Sequence, residues 1–182
     1  MARTDLPRIP PLAGRRFGSA SVSISPAQPA ARIALRAPEE SVAALDGALG
    51  LALPRRPKTS SSAGGRAALW LGPDEWLVID EEDADLMAAC AGAAGFHSAV
   101  EISHRNTAIL VEGPGAEAAI AAGCPQDIGL EAFPVGACSR TILGRIEIVL
   151  WRTGEEAFRV ECWRSFSDYA FTFLAEAAKD AG

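Results

Sequence analysis

From residue 31 to residue 102 the apolar residues change period in a set order, and that order limits the fold more than any other feature of the chain. Arg32-Ile33-Ala34-Leu35-Arg36 alternates, with Ile33 and Leu35 on one face, and predicts a strand. Ala37-Pro38-Glu39-Glu40 opens a helix, because proline is tolerated in a first turn and early glutamates suit the positive end of the helix dipole. Val42, Leu45 and Leu49 follow at helical spacing, and Gly50 closes the helix. Two apolar runs at 68–71 and 76–79 flank Gly72-Pro73-Asp74-Glu75, which is a hairpin signal. Residues 82–94 predict an alanine-rich helix stopped near Gly95, and 98–102 a further strand. Strand, helix, strand, strand, helix, strand is the order of a ferredoxin-like split βαβ unit.

The flanks read differently. Residues 1–18 are rich in Pro, Arg and Gly, lack a period, and predict an extended arm that is ordered where a partner holds it. Ser21-Val22-Ser23-Ile24-Ser25 alternates and predicts a strand; 54–66 is polar and predicts a mobile loop. After residue 103 the pattern starts again. A strand at 107–111 turns through Gly113-Pro114-Gly115 into a helix at 116–122, and an irregular link covers 126–136. Strands at 138–143, 145–151 and 157–162 follow. Ser165 with Asp168 three residues on predicts a capping box for the last helix, with Phe166, Tyr169, Phe173 and Leu174 on one face. The fold class is α+β: a ferredoxin-like half, then a second small antiparallel-sheet half with helices on one side. The domain reading is an arm at 1–18, a ferredoxin-like subdomain at 19–103 and a second α+β subdomain at 104–182.

Charge and cysteine usage exclude several functions. A net charge of −6 without a basic stripe argues against nucleic acid and against anionic membranes. No apolar run reaches membrane-spanning length and residues 1–11 lack a signal-peptide core, so a cytoplasmic location is expected. Cys90, Cys124, Cys138 and Cys162 form no C-x-x-C pair and the chain has only two histidines, which makes a zinc site unexpected. Four free thiols acting as small apolar residues are expected instead.

The search for chemistry finds no self-sufficient set. Ser103 and His104 are neighbours, so on a strand they point to opposite faces and do not pair as nucleophile and base. His97 and His104, with Glu101 between them, are a thin metal set. Cys124 has no local mark of an activated thiol, although a small thiol enzyme using it stays open. Gly113-Pro114-Gly115 lacks the third glycine of a dinucleotide cradle, since Ala118 stands there, and Pro114 lacks a donor, so a tight turn is the better reading. No catalytic, cofactor or metal residue is assigned. Tryptophan and arginine are enriched where subunits meet, and Trp151-Arg152 and Trp163-Arg164 each place one beside the other. Alternation brings one of each pair near the surface. The interface candidates are Trp151, Arg152, Trp163, Arg164, His104 and Arg105.

An ordered series of short segments then carries a resemblance. Leu71-Gly72-Pro73-Asp74-Glu75-Trp76-Leu77, Glu101-Ile102-Ser103-His104-Arg105, Val111-Glu112-Gly113-Pro114-Gly115, Gly123-Cys124-Pro125-Gln126-Asp127 and Phe133-Pro134-Val135-Gly136 run in order. Cys138-Ser139-Arg140-Thr141, Trp151-Arg152-Thr153-Gly154 and Arg164-Ser165-Phe166-Ser167-Asp168-Tyr169 complete it. The series, from about residue 67 to 175, resembles the gamma subunits of heterotetrameric sarcosine oxidase. That family is similar to the folate-binding fold of glycine-cleavage aminomethyltransferases, whose Asp-x-Ser-His segment Glu101–His104 resembles. Their downstream Gly-Gly-x-x-Asp-Asp stretch has no match at Leu143-Gly144-Arg145-Ile146-Glu147, which counts against folate binding here. The resemblance implies an aminomethyltransferase-like fold and a non-catalytic structural subunit with no cofactor of its own. It implies alpha, beta and delta partner subunits: NAD and the folate-binding domain in alpha, FAD and a share of FMN in beta, zinc in delta. The implied complex oxidises sarcosine to glycine and releases hydrogen peroxide, with the one-carbon unit leaving as formaldehyde or on tetrahydrofolate. The alternative is a stand-alone folate-binding protein of one-carbon metabolism, with Glu101 or Glu147 as the acidic group for the pterin.

Overall fold

A computed structural model describes residues 10–82 and 84–181. In chain order the elements are β1 (Phe17–Gly18), β2 (Ser23–Pro26), β3 (Ala31–Arg36), α1 (Glu39–Leu49), β4 (Ser60–Ala63), β5 (Arg66–Gly72), β6 (Glu75–Asp80), α2 (Leu86–Ala91) and β7 (Ser98–Glu101). Then come β8 (Asn106–Glu112), α3 (Ala116–Ala121), β9 (Cys138–Leu143), β10 (Ile146–Gly154), β11 (Ala157–Trp163), a 3₁₀ turn at Arg164–Phe166, and α4 (Ser167–Ala177).

The strands form two antiparallel sheets, ordered β4-β5-β6-β3-β7 and β1-β2-β8-β11-β10-β9. Within the first, β7-β3-β6-β5 is the ferredoxin-like order that the sequence predicts, extended at one edge by β4. Alternation decides what each face meets. Ile33, Leu35 and Trp76 point to α1 and α2, against Val42, Leu45 and Leu86. Leu69, Leu77 and Ile79 point the other way and pack with Cys138, Val149 and Trp151 of the second sheet. That sheet buries Ile148, Leu150, Phe158 and Val160 against Ile120, Phe171 and Leu174 of α3 and α4. The order of layers is therefore helices, sheet, sheet, helices, and each large apolar side chain so buried contributes about 1.5–3 kcal/mol.

The structure departs from the sequence expectations at four places. The strand expected at 21–25 does not join the first sheet: β2 pairs with β8, Ile24 opposite Val111. Alternation gives a strand its faces but not its neighbour. The expected loop at 54–66 contains β4, whose Ser60-Ser61-Ser62-Ala63 has no apolar period to reveal it. The helix expected at 82–94 is only α2, because Asp80 first folds the chain into a turn by accepting from the Glu82 and Ala84 amides. Asp85 then caps α2 through the Ala88 amide, at 2.8 Å.

The last helix is the fourth departure. It has no side-chain cap; Ser167 Oγ donates to the Arg164 carbonyl instead, and Asp168 pairs with Arg15. The buried positions of α4 are Ser167, Ala170, Phe171 and Leu174, while Phe166 and Tyr169 are exposed. Of the four residues expected on one face, Leu174 is buried and Phe173 packs half-buried on the core, so only the part of the face formed by Phe166 and Tyr169 is exposed. Of the expected arm, residues 1–9 lie outside the described residues. Arg15 lies over the Phe171 ring at 4.5 Å, so residues 10–18 contact their own chain's last helix.

The Gly113-Pro114-Gly115 turn is explained by a chain crossing. Gly113 has φ +114, and a Cβ there would collide with the Ser21 carbonyl; one at Gly115 would meet the Ala181 carbonyl. Both glycines let the start of β2 pass close by. Gly113→Ala is expected to cost about 1–3 kcal/mol through strain. The check is a lower urea midpoint with an unchanged slope; a wild-type midpoint would refute the crossing argument.

Candidate functional site

The segment Ile102–Arg105 carries the chain from β7 of the first sheet to β8 of the second. Buried Ile102 anchors it between the sheets. The Ser103 hydroxyl accepts the Arg32 amide at 2.8 Å, and the Ser103 amide donates to Glu101 at 2.8 Å. His104 Nδ1 meets the other Glu101 oxygen at 3.0 Å. Hydrogen bonding from the Ser103 side chain, opposed by slight burial and aided by its amide and His104, holds Glu101 below the usual carboxylate range.

This turn presents Arg105 to the end of β11. The Arg164 amide donates to the Arg105 carbonyl at 2.7 Å, and the Arg105 guanidinium lies 4.5 Å from the Trp163 ring centroid. Phe166 stacks on Trp163 with centroids 5.7 Å apart. Trp163 is 41% exposed and Phe166 38%, so the stacked pair forms a contiguous aromatic surface. His104, Arg105, Trp163 and Arg164 are thus one surface cluster, and Phe166 belongs to it although the sequence assigned it to the helix core.

Trp151 and Arg152 lie elsewhere. Trp151 packs in the layer between the sheets and donates from Nε1 to Ser60 Oγ at 3.0 Å. Arg152 is fully buried on the opposite face, over the Phe158 ring, and pairs with Glu117 at 2.8 Å. The alternation argument held for direction. For exposure, Trp151 is half-buried, because the first sheet packs over its face of β10, and Arg152 is fully buried.

Beside the cluster is a cavity of about 140 Å³, lined by Trp163, Arg105, Asn106, Arg140, Glu75 and Glu147 among others. Glu75 accepts from Arg140 at 2.5 Å and from Arg36 at 3.0 Å. Arg140, opposed by partial burial and joined by Arg36, lowers its pKa. Asp80 is also lowered: burial raises it, but the Ala84 amide, Arg66 and the Glu82 amide together outweigh burial. A carboxylate depressed in the folded state stabilises fully above its unfolded value, near pH 4, and loses that contribution as pH falls through the folded value. Stability is therefore expected to be flat above pH ~5 and to decline below ~4. Acid unfolding of Glu75→Gln should show a shallower decline; an identical profile would remove Glu75 from this account.

The ion network between the sheets was not anticipated from the sequence. Arg32 of β3 holds Glu161 of β11 through two hydrogen bonds, at 2.8 and 3.2 Å. Arg159 Nε donates to the same carboxylate at 2.8 Å, and its Nη1 reaches Glu81 at 2.6 Å. Arg32, Arg159 and Glu161 are all buried. The available signal was charge at inward positions: Arg159 and Glu161 are two apart on one strand and so share a face.

The four cysteines are free and buried. Burial pushes the Cys138 and Cys162 thiols up to about 12 and raises Cys90 as well. Cys124 Sγ meets Thr141 Oγ1 at 3.7 Å and lacks a neighbouring base among the described residues. A thiol reagent at neutral pH is expected to label none of the four until the protein is unfolded. Rapid labelling of Cys124 in the folded protein would reopen the thiol-enzyme reading. Glu101 and Glu147, the acidic candidates for a pterin, line different cavities and do not form one site. Among the described residues no group of three His, Cys, Asp or Glu side chains converges as a metal site, and no helix is long and apolar enough to cross a membrane.

Comparison with known proteins gives this architecture its relatives. Residues 36–180 match the family described as sarcosine oxidase, gamma subunit family. The chain is 33% identical over 141 residues to the sarcosine oxidase subunit gamma of Corynebacterium sp. (strain U-96), covering 76% of this chain and 69% of that protein. It is 35% identical over 140 residues to the subunit gamma of Arthrobacter sp., covering 74% and 68%. Among solved structures, a chain of the heterotetrameric sarcosine oxidase from Corynebacterium sp. U-96, in complex with pyrrole 2-carboxylate, superposes with a TM-score of 0.87. That match has 30% identity and covers 96% of both chains. The glycine cleavage system aminomethyltransferase T of Bartonella henselae shares the fold, with a TM-score of 0.63 at 15% identity over 88% of this chain and 50% of that one.

Proposed function

The chain belongs to the sarcosine oxidase gamma subunit family, and on that premise we propose that it is a non-catalytic structural subunit of a heterotetrameric sarcosine oxidase. The observation that carries the reading is the superposition over 96% of both chains on a component of such an assembly. The complex is an oxidoreductase that demethylates sarcosine to glycine with peroxide as a product. In this reading the alpha, beta and delta subunits hold the NAD, FAD, FMN, zinc and folate sites, and the assembly works in the cytoplasm. The chain's own groups support that division, since buried Arg32, Arg152, Arg159 and Glu161 are engaged in ion pairs and the thiols are buried.

The surface we assign to partner contact is the cluster of His104, Arg105, Trp163, Arg164 and Phe166. Exposed Trp beside Arg is the composition of interface hot spots, and the cluster stands on a rigid strand end. We also propose a division of the chain near residues 103–104, supported by the way strands 31–101 share one sheet, with β1 and β2 crossing back to the other.

The test is to purify the tagged chain from its native cell and record the visible spectrum. The expected result is co-elution with larger chains, flavin absorbance and peroxide release on adding sarcosine. A colourless single chain would overturn the reading, and titration with reduced folate would then examine the alternative.

A further inference from the structure

The first sheet ends at β7, and the register there leaves its outer edge open. Val100 stands opposite Ala34 and Ala99 opposite Leu35. In the same register the Ile102 amide donates to the Arg32 carbonyl at 2.9 Å. Antiparallel partners exchange hydrogen bonds at every second pair, so Ser98 and Val100 turn their amides and carbonyls to β3. Those of Ala99 and Glu101 point away from the sheet and have no backbone partner among the described residues.

The side chains at this edge are as open as the backbone. Val100 shares a face with Ala34, which packs in the layer between the sheets, yet Val100 is 53% exposed. The second sheet therefore does not reach over it. Phe96, just before the strand, is 82% exposed. Free edges are commonly guarded by proline, lysine or a bulge, and β7 has none of these. Its one charge, Glu101, is drawn along the chain by the Ser103 amide and His104. The other edges differ. β4 offers serines, and Ser60 is tied to the Gly136 carbonyl. β9 carries Arg140 at its middle, and the Cys138 and Gly144 amides at its ends donate to the Lys58 and Gly123 carbonyls. β7 is also continuous with the aromatic cluster, since the turn after Glu101 delivers Arg105 to the Trp163 ring.

We propose that an extended segment of a partner subunit adds to β7 as a further strand, bonding the outward amides and carbonyls of Ala99 and Glu101 and laying an apolar side chain beside Val100. This rests on the subunit reading and names the element that the partner contributes next to the cluster.

The test uses the purified complex and hydrogen exchange read by mass spectrometry at single-amide resolution. The Ala99 and Glu101 amides are expected to exchange as slowly as that of Val100, which bonds β3. Ala99→Pro removes one outward donor and spares the bonds to β3, since proline is tolerated where an edge amide faces outward. It should weaken assembly about tenfold. Fast exchange of Ala99 and Glu101 in an intact complex overturns the added strand and leaves the subunit reading in place. Unchanged assembly of the Ala99→Pro chain overturns it as well. Slow exchange in a complex that weighs in with two copies of this chain assigns the edge to self-pairing and also overturns it. A chain that purifies without partners overturns the subunit reading and the added strand together.

Discussion

Glu161→Leu is expected to cost about 3–5 kcal/mol, because it strips two buried arginines of their shared carboxylate. Arg32 and Arg159 are 2% and 3% exposed, so neither can turn to water without opening the contact between the sheets. Against a typical domain stability of about 5–15 kcal/mol, that loss removes much of the margin. The measurement is urea unfolding by circular dichroism. The companion triple variant, Arg32→Met with Glu161→Leu and Arg159→Met, separates charge from packing. Removing all three charges together should recover most of the loss, since a buried ion cluster adds little net stability over apolar residues of similar volume. A Glu161→Leu protein as stable as the wild type would show that water reaches these arginines, and the burial argument would fail.

Trp163→Ala is expected to weaken assembly by about 2–4 kcal/mol, roughly 30- to 1000-fold in dissociation constant. Its effect on the chain's own folding should be smaller, because the ring is already 41% exposed. Arg105→Ala should weaken assembly less, through loss of the cation on the ring. Leu130→Ala is the control, also exposed but beside Glu117 and Arg152 on the α3 side, and should leave assembly unchanged. Dilution of the purified complex with mass-resolved counting of its species reads the effect directly. If the Trp163→Ala complex dissociates at wild-type concentrations, this cluster is not the partner surface.

Much of the chain was legible from residues alone. The order of elements from β3 to β7 followed from where Ile33, Leu35, Val42, Leu45 and the 68–79 hairpin fall, since period and turn chemistry act locally. The end of α1 at Gly50 was legible for the same reason: its left-handed φ of 62° suits glycine. The serine strand β4 was not, because Ser60-Ser61-Ser62 has no apolar period; it pairs with the neighbouring β5, and the Ser60 hydroxyl bonds the Gly136 carbonyl, 76 residues away. Nor was the exposure of Phe166 and Tyr169 beside buried Leu174, because only the neighbours decide how far an apolar face is covered.

The candidate site divides in the same way. The sequence by itself determined the opposite faces that Trp151 and Arg152 take on β10. That is a consequence of a two-residue period. Only the tertiary structure decided that Arg152 is enclosed and Trp151 half-buried while Trp163 reaches the surface beside Arg105, and that Arg32 and Arg159 share the Glu161 carboxylate in one buried ion cluster. A strand's period fixes which way a side chain points. What it meets there depends on the layer packed against that face, and that layer is built from residues far away in the chain.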